Sequence, residues 1–199
     1  MNYLAHIYLS EPTPEGRLGG FLGDFIKGSL DKIQEPALRR SIALHRKIDS
    51  YTDSHPIVVA TKQLFPKSNR KYAGIALDIF YDYFLTKHFE HFSALPLQAF
   101  ADNFYNILNS RQDILPETIK PLSRKLIENN FLCKYGTLED VYSALVRLSA
   151  RTKYGISFEP TIEVLVIHHE KLQQSFHELL PQLIEFSQQA LDSLLKQSN

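Results

Sequence analysis

Residues 42 to 53, IALHRKIDSYTD, carry His45, Asp49 and Asp53 at four-residue steps. On a helix, residues four apart lie above one another, so this spacing predicts one stripe bearing an imidazole and two carboxylates. Ile42, Leu44 and Ile48 are the apolar residues that fasten the same helix to a core. Two further carboxylates, Asp78 and Asp82, stand four apart in LDIFYDYFLTKHF. That segment is apolar on nearly every side, the mark of a buried helix, and burying an isolated carboxylate is costly unless a cation partners it. Asp24 falls among Gly19, Gly20 and Gly23. Each of these glycines weakens a helix by roughly 1 kcal/mol relative to Ala, and their expected use is close approach by another backbone.

Singly, each residue has an ordinary reading. Asp24 can bond a backbone amide, His45 can be a satisfied core histidine, and Asp49 can pair with Arg46 or Lys47. As a set, Asp24, His45, Asp49, Asp78 and Asp82 are better read as a metal site. Imidazole and carboxylate donors without thiolate suit Mn²⁺, Mg²⁺ or Fe²⁺ more than structural zinc. Such an ion serves phosphate-ester hydrolysis by polarising phosphoryl oxygens and lowering the pKa of a water. Asp82 or Asp53 would orient the water or complete an outer shell. His6, in an apolar stretch, is either a second-tier ligand or a satisfied core histidine. Lys27 and Arg46, each near a ligand in sequence, are candidates to neutralise a phosphate; a surface salt bridge is the other reading of Arg46.

The other histidines carry less weight. His88 stands six residues past Asp82, about 240° around the helix, which separates it and His91 from the aspartates. His168, His169 and His177 lie in a solvated-looking segment. Neither GxSxG, GxGxxG, a Walker A sequence nor HExxH occurs, which removes the corresponding enzyme classes. The Glu-x-x-His pairs of di-iron bundles are absent as well. Cys133, in FLCKYG, reads as a structural thiol.

The elements that must position these groups are helices. Periodicity predicts them over Arg17 to Ser29, Pro36 to Thr52, Ile57 to Phe65, Arg70 to Phe92, Pro96 to Asn109, Glu117 to Asn130 and Thr137 to Thr152. Residues 10 to 16, SEPTPEG, read as a break. Glu159 to Lys196 is long enough for two helices, divided or kinked at Pro181. No strand alternation appears, so the expected class is all-α, a helical bundle. At 199 residues the default is a single domain, 1–199.

Twenty-two basic against twenty-two acidic residues give zero formal net charge, which argues against a nucleic-acid binder held by a bulk positive field. One cysteine excludes an internal disulfide and a thiolate-rich zinc site and fits a reducing compartment. No basic leader and no long apolar run is present, so neither export nor membrane insertion is expected, and the cytoplasm is the natural location.

MNYLAHIYLS at the start, LGDFIKG at 22 to 28, LHRKIDSYTDSHP at 44 to 56 and LDIFYDYFLTKH at 77 to 88 are together similar to the acyl carrier protein phosphodiesterase family. That family resembles an atypical branch of the HD-domain phosphohydrolases, which are all-helical and metal-dependent. The resemblance implies hydrolysis of the phosphodiester joining 4′-phosphopantetheine to the serine of holo-acyl carrier protein, with Mn²⁺ favoured. Carried over by position, it implies Asp24, His45, Asp49 and Asp78 as metal ligands. The family often reads DHFL where this chain has Asp82, Tyr83, Phe84 and Leu85. Acyl carrier proteins are acidic, and Lys62, Lys67, Arg70 and Lys71 form a basic stretch without an acidic residue, either a docking surface for such a partner or an ordinary solvated face. Two alternatives remain: an HD-like phosphohydrolase acting on a nucleotide or other small phosphate ester, and a non-catalytic helical binding module.

Overall fold

The structure, a computed structural model, describes residues 2–150 and 157–197. Among them are ten α-helices, four short 3₁₀ turns and no strand. In order the helices are α1 (Tyr3–Leu9), α2 (Pro14–Leu22), α3 (Pro36–Ser54), α4 (Pro56–Thr61), α5 (Ala73–Phe92), α6 (Leu97–Ser110), α7 (Lys120–Glu128), α8 (Leu138–Ala150), α9 (Ile162–Ile167) and α10 (His169–Lys196). The expected all-α class is the one observed. None of the helices is long and apolar enough to cross a membrane.

Helix α2 starts earlier and ends earlier than its periodicity suggests. Pro14 is its first helical residue, where the missing N–H is no loss, and the Thr13 hydroxyl accepts from the Gly16 N–H at 3.0 Å. The expected break at 10 to 16 is thus partly a start signal. After Leu22 the chain turns through Gly23 to Phe25, which places Asp24 beyond the helix end. Helix α3 runs as its stripe predicts. It stops at Ser54 because His55, preceding Pro56, is extended. The His55 ring then accepts from the Ile57 N–H and caps α4.

Helix α5 forms the core of the molecule, with Leu77, Phe80, Tyr81, Phe84 and Leu85 all essentially inaccessible. It leaves helical geometry locally at His88. Pro181 neither divides nor ends α10, which continues through it. Leu179, Leu180 and Leu183 are all fully buried, and this packing on both sides of the proline offsets an interior cost of about 3 kcal/mol. The division expected in this stretch falls instead at His168, between α9 and α10.

The glycines of α2 set how closely α1 and α3 approach it. A Cβ at Gly19 would lie 2.6 Å from the Ser41 Cβ and 3.0 Å from the Leu38 carbonyl on α3. At Gly20 it would lie 2.7 Å from the His6 carbonyl on α1. These contacts bring three helices together at one point.

Candidate metal centre

His45 sits mid-way along α3, buried against the end of α2. Its Nδ1 lies 2.8 Å from the Gly20 carbonyl, and an Nδ1–H donated there fixes the ring with Nε2 pointing away. Nε2 stands 3.2 Å from Asp49 Oδ2, one turn further along α3, and 3.6 Å from Asp24 Oδ1. A histidine whose far nitrogen is oriented by a backbone carbonyl is the usual arrangement of a metal ligand. His6, from α1, stacks on His45 with ring centroids 3.7 Å apart and 23° between planes. Its Nε2 is 3.0 Å from Asp49 Oδ1. One carboxylate therefore addresses both imidazoles, one oxygen to each. One ligand atom from each of His6, His45 and Asp49 lies within 4.8 Å of the others, the only such group of three or more among the described residues.

Both histidines are buried, while the side chain of Asp49 is 43% exposed and opens the group to solvent. Burial pushes the His6 pKa down to about 4 despite the Asp49 carboxylate beside it. For His45, burial also disfavours charge, but hydrogen bonds and charge from Asp24 and Asp49 outweigh it and raise the pKa to about 9. Burial alone would raise Asp49; the two imidazoles beside it, His45 foremost, hold it far below the ordinary carboxylate range. Two stacked rings cannot both carry charge at low cost, and here the proton belongs to His45.

The donor set fits a divalent cation. Neither ring nitrogen of His6, buried at 1% exposure, makes a hydrogen bond, and the approach of Nε2 to Asp49 has the distance of one without its direction. A buried neutral imidazole beside a carboxylate thus has its ring nitrogens unsatisfied. Uncompensated, that is costly; a cation between ring and carboxylate is the natural complement. Two imidazoles and a carboxylate suit several divalent metals.

The remaining candidates are distributed around this group. Asp24 lies at its edge, half-exposed, and lines a cavity of about 220 Å³ together with Asp78 of α5. Burial would raise the Asp24 pKa, but the His45 imidazolium beside it outweighs this and lowers it. Asp78 shares the cavity and is not one of the three converging residues. Asp82 is elsewhere. Fully buried, it accepts from the N–H of Leu4 at 3.2 Å and of Ala5 at 3.4 Å. These are the first-turn donors that a capping side chain satisfies, and Asn2, at the N-cap of α1, makes no such bond. Rather than orienting a water, Asp82 caps the helix that carries His6. Burial, partly opposed by those two bonds, raises its pKa to about 7.

Asp53 points to solvent and pairs with Lys62 at 3.2 Å. Arg46 donates to the carbonyls of Ile26 and Gly28, both at 2.8 Å, and so ties down the loop after Asp24. Lys27 is exposed in that loop. Arg70 donates to the Phe65 carbonyl at 3.2 Å, and Lys71 lies over the Tyr72 ring. The Tyr83 hydroxyl is 3.2 Å from His169 Nε2 and accepts from Lys87, so it engages α10. His6, held in the sequence as one of two readings, is the residue the structure brings fully into the group. Its signal was a single histidine inside an otherwise apolar helix.

A family model described as acyl carrier protein phosphodiesterase matches residues 1–183. The chain is similar to curated relatives named acyl carrier protein phosphodiesterase. One from Pectobacterium atrosepticum is 26% identical over 94% of this chain and 97% of its own length. Another from Serratia proteamaculans is 27% identical over 98% and 100%, and one from Escherichia coli is 27% identical over 93% and 96%. No solved structure matches.

Proposed function

The chain belongs to the acyl carrier protein phosphodiesterase family, and we propose that the group formed by His6, His45 and Asp49, with Asp24 at its edge, is where it releases 4′-phosphopantetheine from holo-acyl carrier protein. The observation that carries this reading is the convergence of two buried imidazoles on one solvent-facing carboxylate. His6, His45 and Asp49 hold a divalent cation, with Mn²⁺ favoured and Mg²⁺ or Fe²⁺ as the other oxygen-tolerant options. Such an ion, when bound, polarises the phosphoryl oxygens and supplies a nucleophile near neutral pH.

The chain's own residues do the rest. The Gly20 carbonyl fixes the His45 ring, and Asp82 fixes α1 and with it His6. Asp49 aligns the two imidazoles through separate oxygens. Asp24 is anionic and reaches both this group and the adjoining cavity, so it orients an attacking water by accepting its hydrogen bond. Asp78, in the same cavity, adds a second acceptor. Arg46 keeps Asp24 in place by holding the following loop. The chain is read as a single-domain enzyme of the cytoplasm, in keeping with its single cysteine. Incubating the protein with holo-acyl carrier protein and Mn²⁺, then weighing the carrier by mass spectrometry, tests the reading. Loss of the prosthetic group that disappears with Asp49→Ala is the expected result.

A further inference from the structure

The C-terminal half carries no motif with chemistry of its own, yet it walls a groove that starts at the metal centre. The cavity of about 220 Å³ that contains Asp24 and Asp78 is bounded on its other sides by Asn2, Tyr135 and the α8 residues Ala144 and Leu148. A second cavity of about 240 Å³ lies against α7, formed by Leu122, Lys125, Leu126, Asn129 and Lys134. Tyr3, Phe131 and Arg147 line both. The two adjoin at these three residues: the groove is polar and acidic at its inner end, aromatic at its waist, and lined at its outer end by Leu122 and Leu126 together with Lys125, Asn129 and Lys134.

We infer that this groove holds the pantetheine arm of the substrate, with its phosphate at the Asp24 end and its sulfur end toward Leu122 and Leu126. The inference rests on the hydrolase reading above. The arm is a flexible, uncharged chain of methylene and amide groups, and a concave slot that combines aromatic and aliphatic walls with placed polar side chains is the kind of site that takes such a ligand. Tyr3 and Phe131 supply the walls, and the ring pair continues inward through Phe25 and Phe21, against which Tyr3 packs. Arg147 at the waist is a donor for the arm's amide carbonyls or its phosphate. The face of the protein carrying the arm is left to the other side of the centre, where Asp49 meets solvent.

Asn129 is exposed at the end of α7, so Asn129→Trp narrows the outer groove without entering the core, and Arg147→Ala removes the cation at the waist. In the full-length, metal-loaded protein each variant is expected to raise KM for holo-carrier about ten-fold with little change in kcat. Free 4′-phosphopantetheine, the product, is expected to inhibit wild type competitively and Asn129→Trp about ten-fold less. An unchanged KM in either variant, or equal inhibition of wild type and Asn129→Trp, overturns the groove. A wild-type chain that binds metal and leaves the carrier intact overturns the hydrolase reading itself, a failure visible before any variant is made.

Discussion

Gly23 lies so close against the imidazole of His45 that a Cβ there would overlap the ring at Cγ, Cδ2 and Nδ1. The ring in turn holds the Gly20 carbonyl. Gly23→Ala must therefore move His45 or the end of α2, at a cost of about 1–3 kcal/mol. Expected is a protein that still folds but binds metal at least about ten-fold more weakly. Isothermal titration with Mn²⁺ checks this, and an unchanged affinity would mean that the ring's placement does not matter.

Metal affinity is expected to depend on pH through His45. In the metal-free protein its pKa is about 9, so at pH 7 the ring is protonated, and a ligand nitrogen must lose that proton. Affinity rises with pH toward 9, and close to one proton is released per ion at pH 7. Titrations in buffers of different ionisation enthalpy measure that release. The same shift contributes to folding of the apo protein: the contribution is complete below the unfolded pKa of 6.5 and is lost as pH rises through about 9.

Asp82 gives the same sign in a lower pH window. Its folded pKa of about 7 lies above the unfolded 3.8, so the native state holds the proton more tightly, and apo stability falls between about pH 4 and pH 7. Asp82→Asn keeps an acceptor for Leu4 and Ala5 without a charge and is expected to escape this fall. Asp82→Ala uncaps α1, at a cost of about 1 kcal/mol or more, and is expected to weaken metal binding by displacing His6. Urea unfolding of the three proteins across this range, in chelator, shows parallel curves if Asp82 stays ionised throughout.

The stripe on α3 was legible because helical period and apolar spacing are local properties. So was the close approach implied by Gly19, Gly20 and Gly23, although not which of them meets His45. The place of Asp82 was not legible. A buried carboxylate that holds a cation and one that caps a distant helix obey the same burial rule, and the partner N–H groups lie at the other end of the sequence. Arg46 illustrates a similar limit: its neighbours in sequence suggest phosphate or an ion pair, whereas the folded loop brings two carbonyls to it. Pro181 misleads because a local break signal is overridden by packing on both sides.

Arg46→Ala is expected to free the Ile26–Gly28 loop and, through it, Asp24. Two guanidinium bonds to carbonyls are lost, worth about 1–3 kcal/mol together. Limited proteolysis should then cut within 26 to 35 while metal affinity, which does not use Arg46, stays near wild type. Unchanged protease resistance would show that other contacts hold the loop.

The central claim is that His6, His45 and Asp49 form one metal-binding centre that cleaves phosphopantetheine from its carrier. Its most direct measurement is intact-mass analysis of holo-acyl carrier protein after incubation with the Mn²⁺-loaded protein and with Asp49→Asn treated identically. The account predicts conversion to the apo mass by wild type and none by the variant. A carrier left at the holo mass by wild-type protein with its metal confirmed in place, or full conversion by Asp49→Asn, would contradict it.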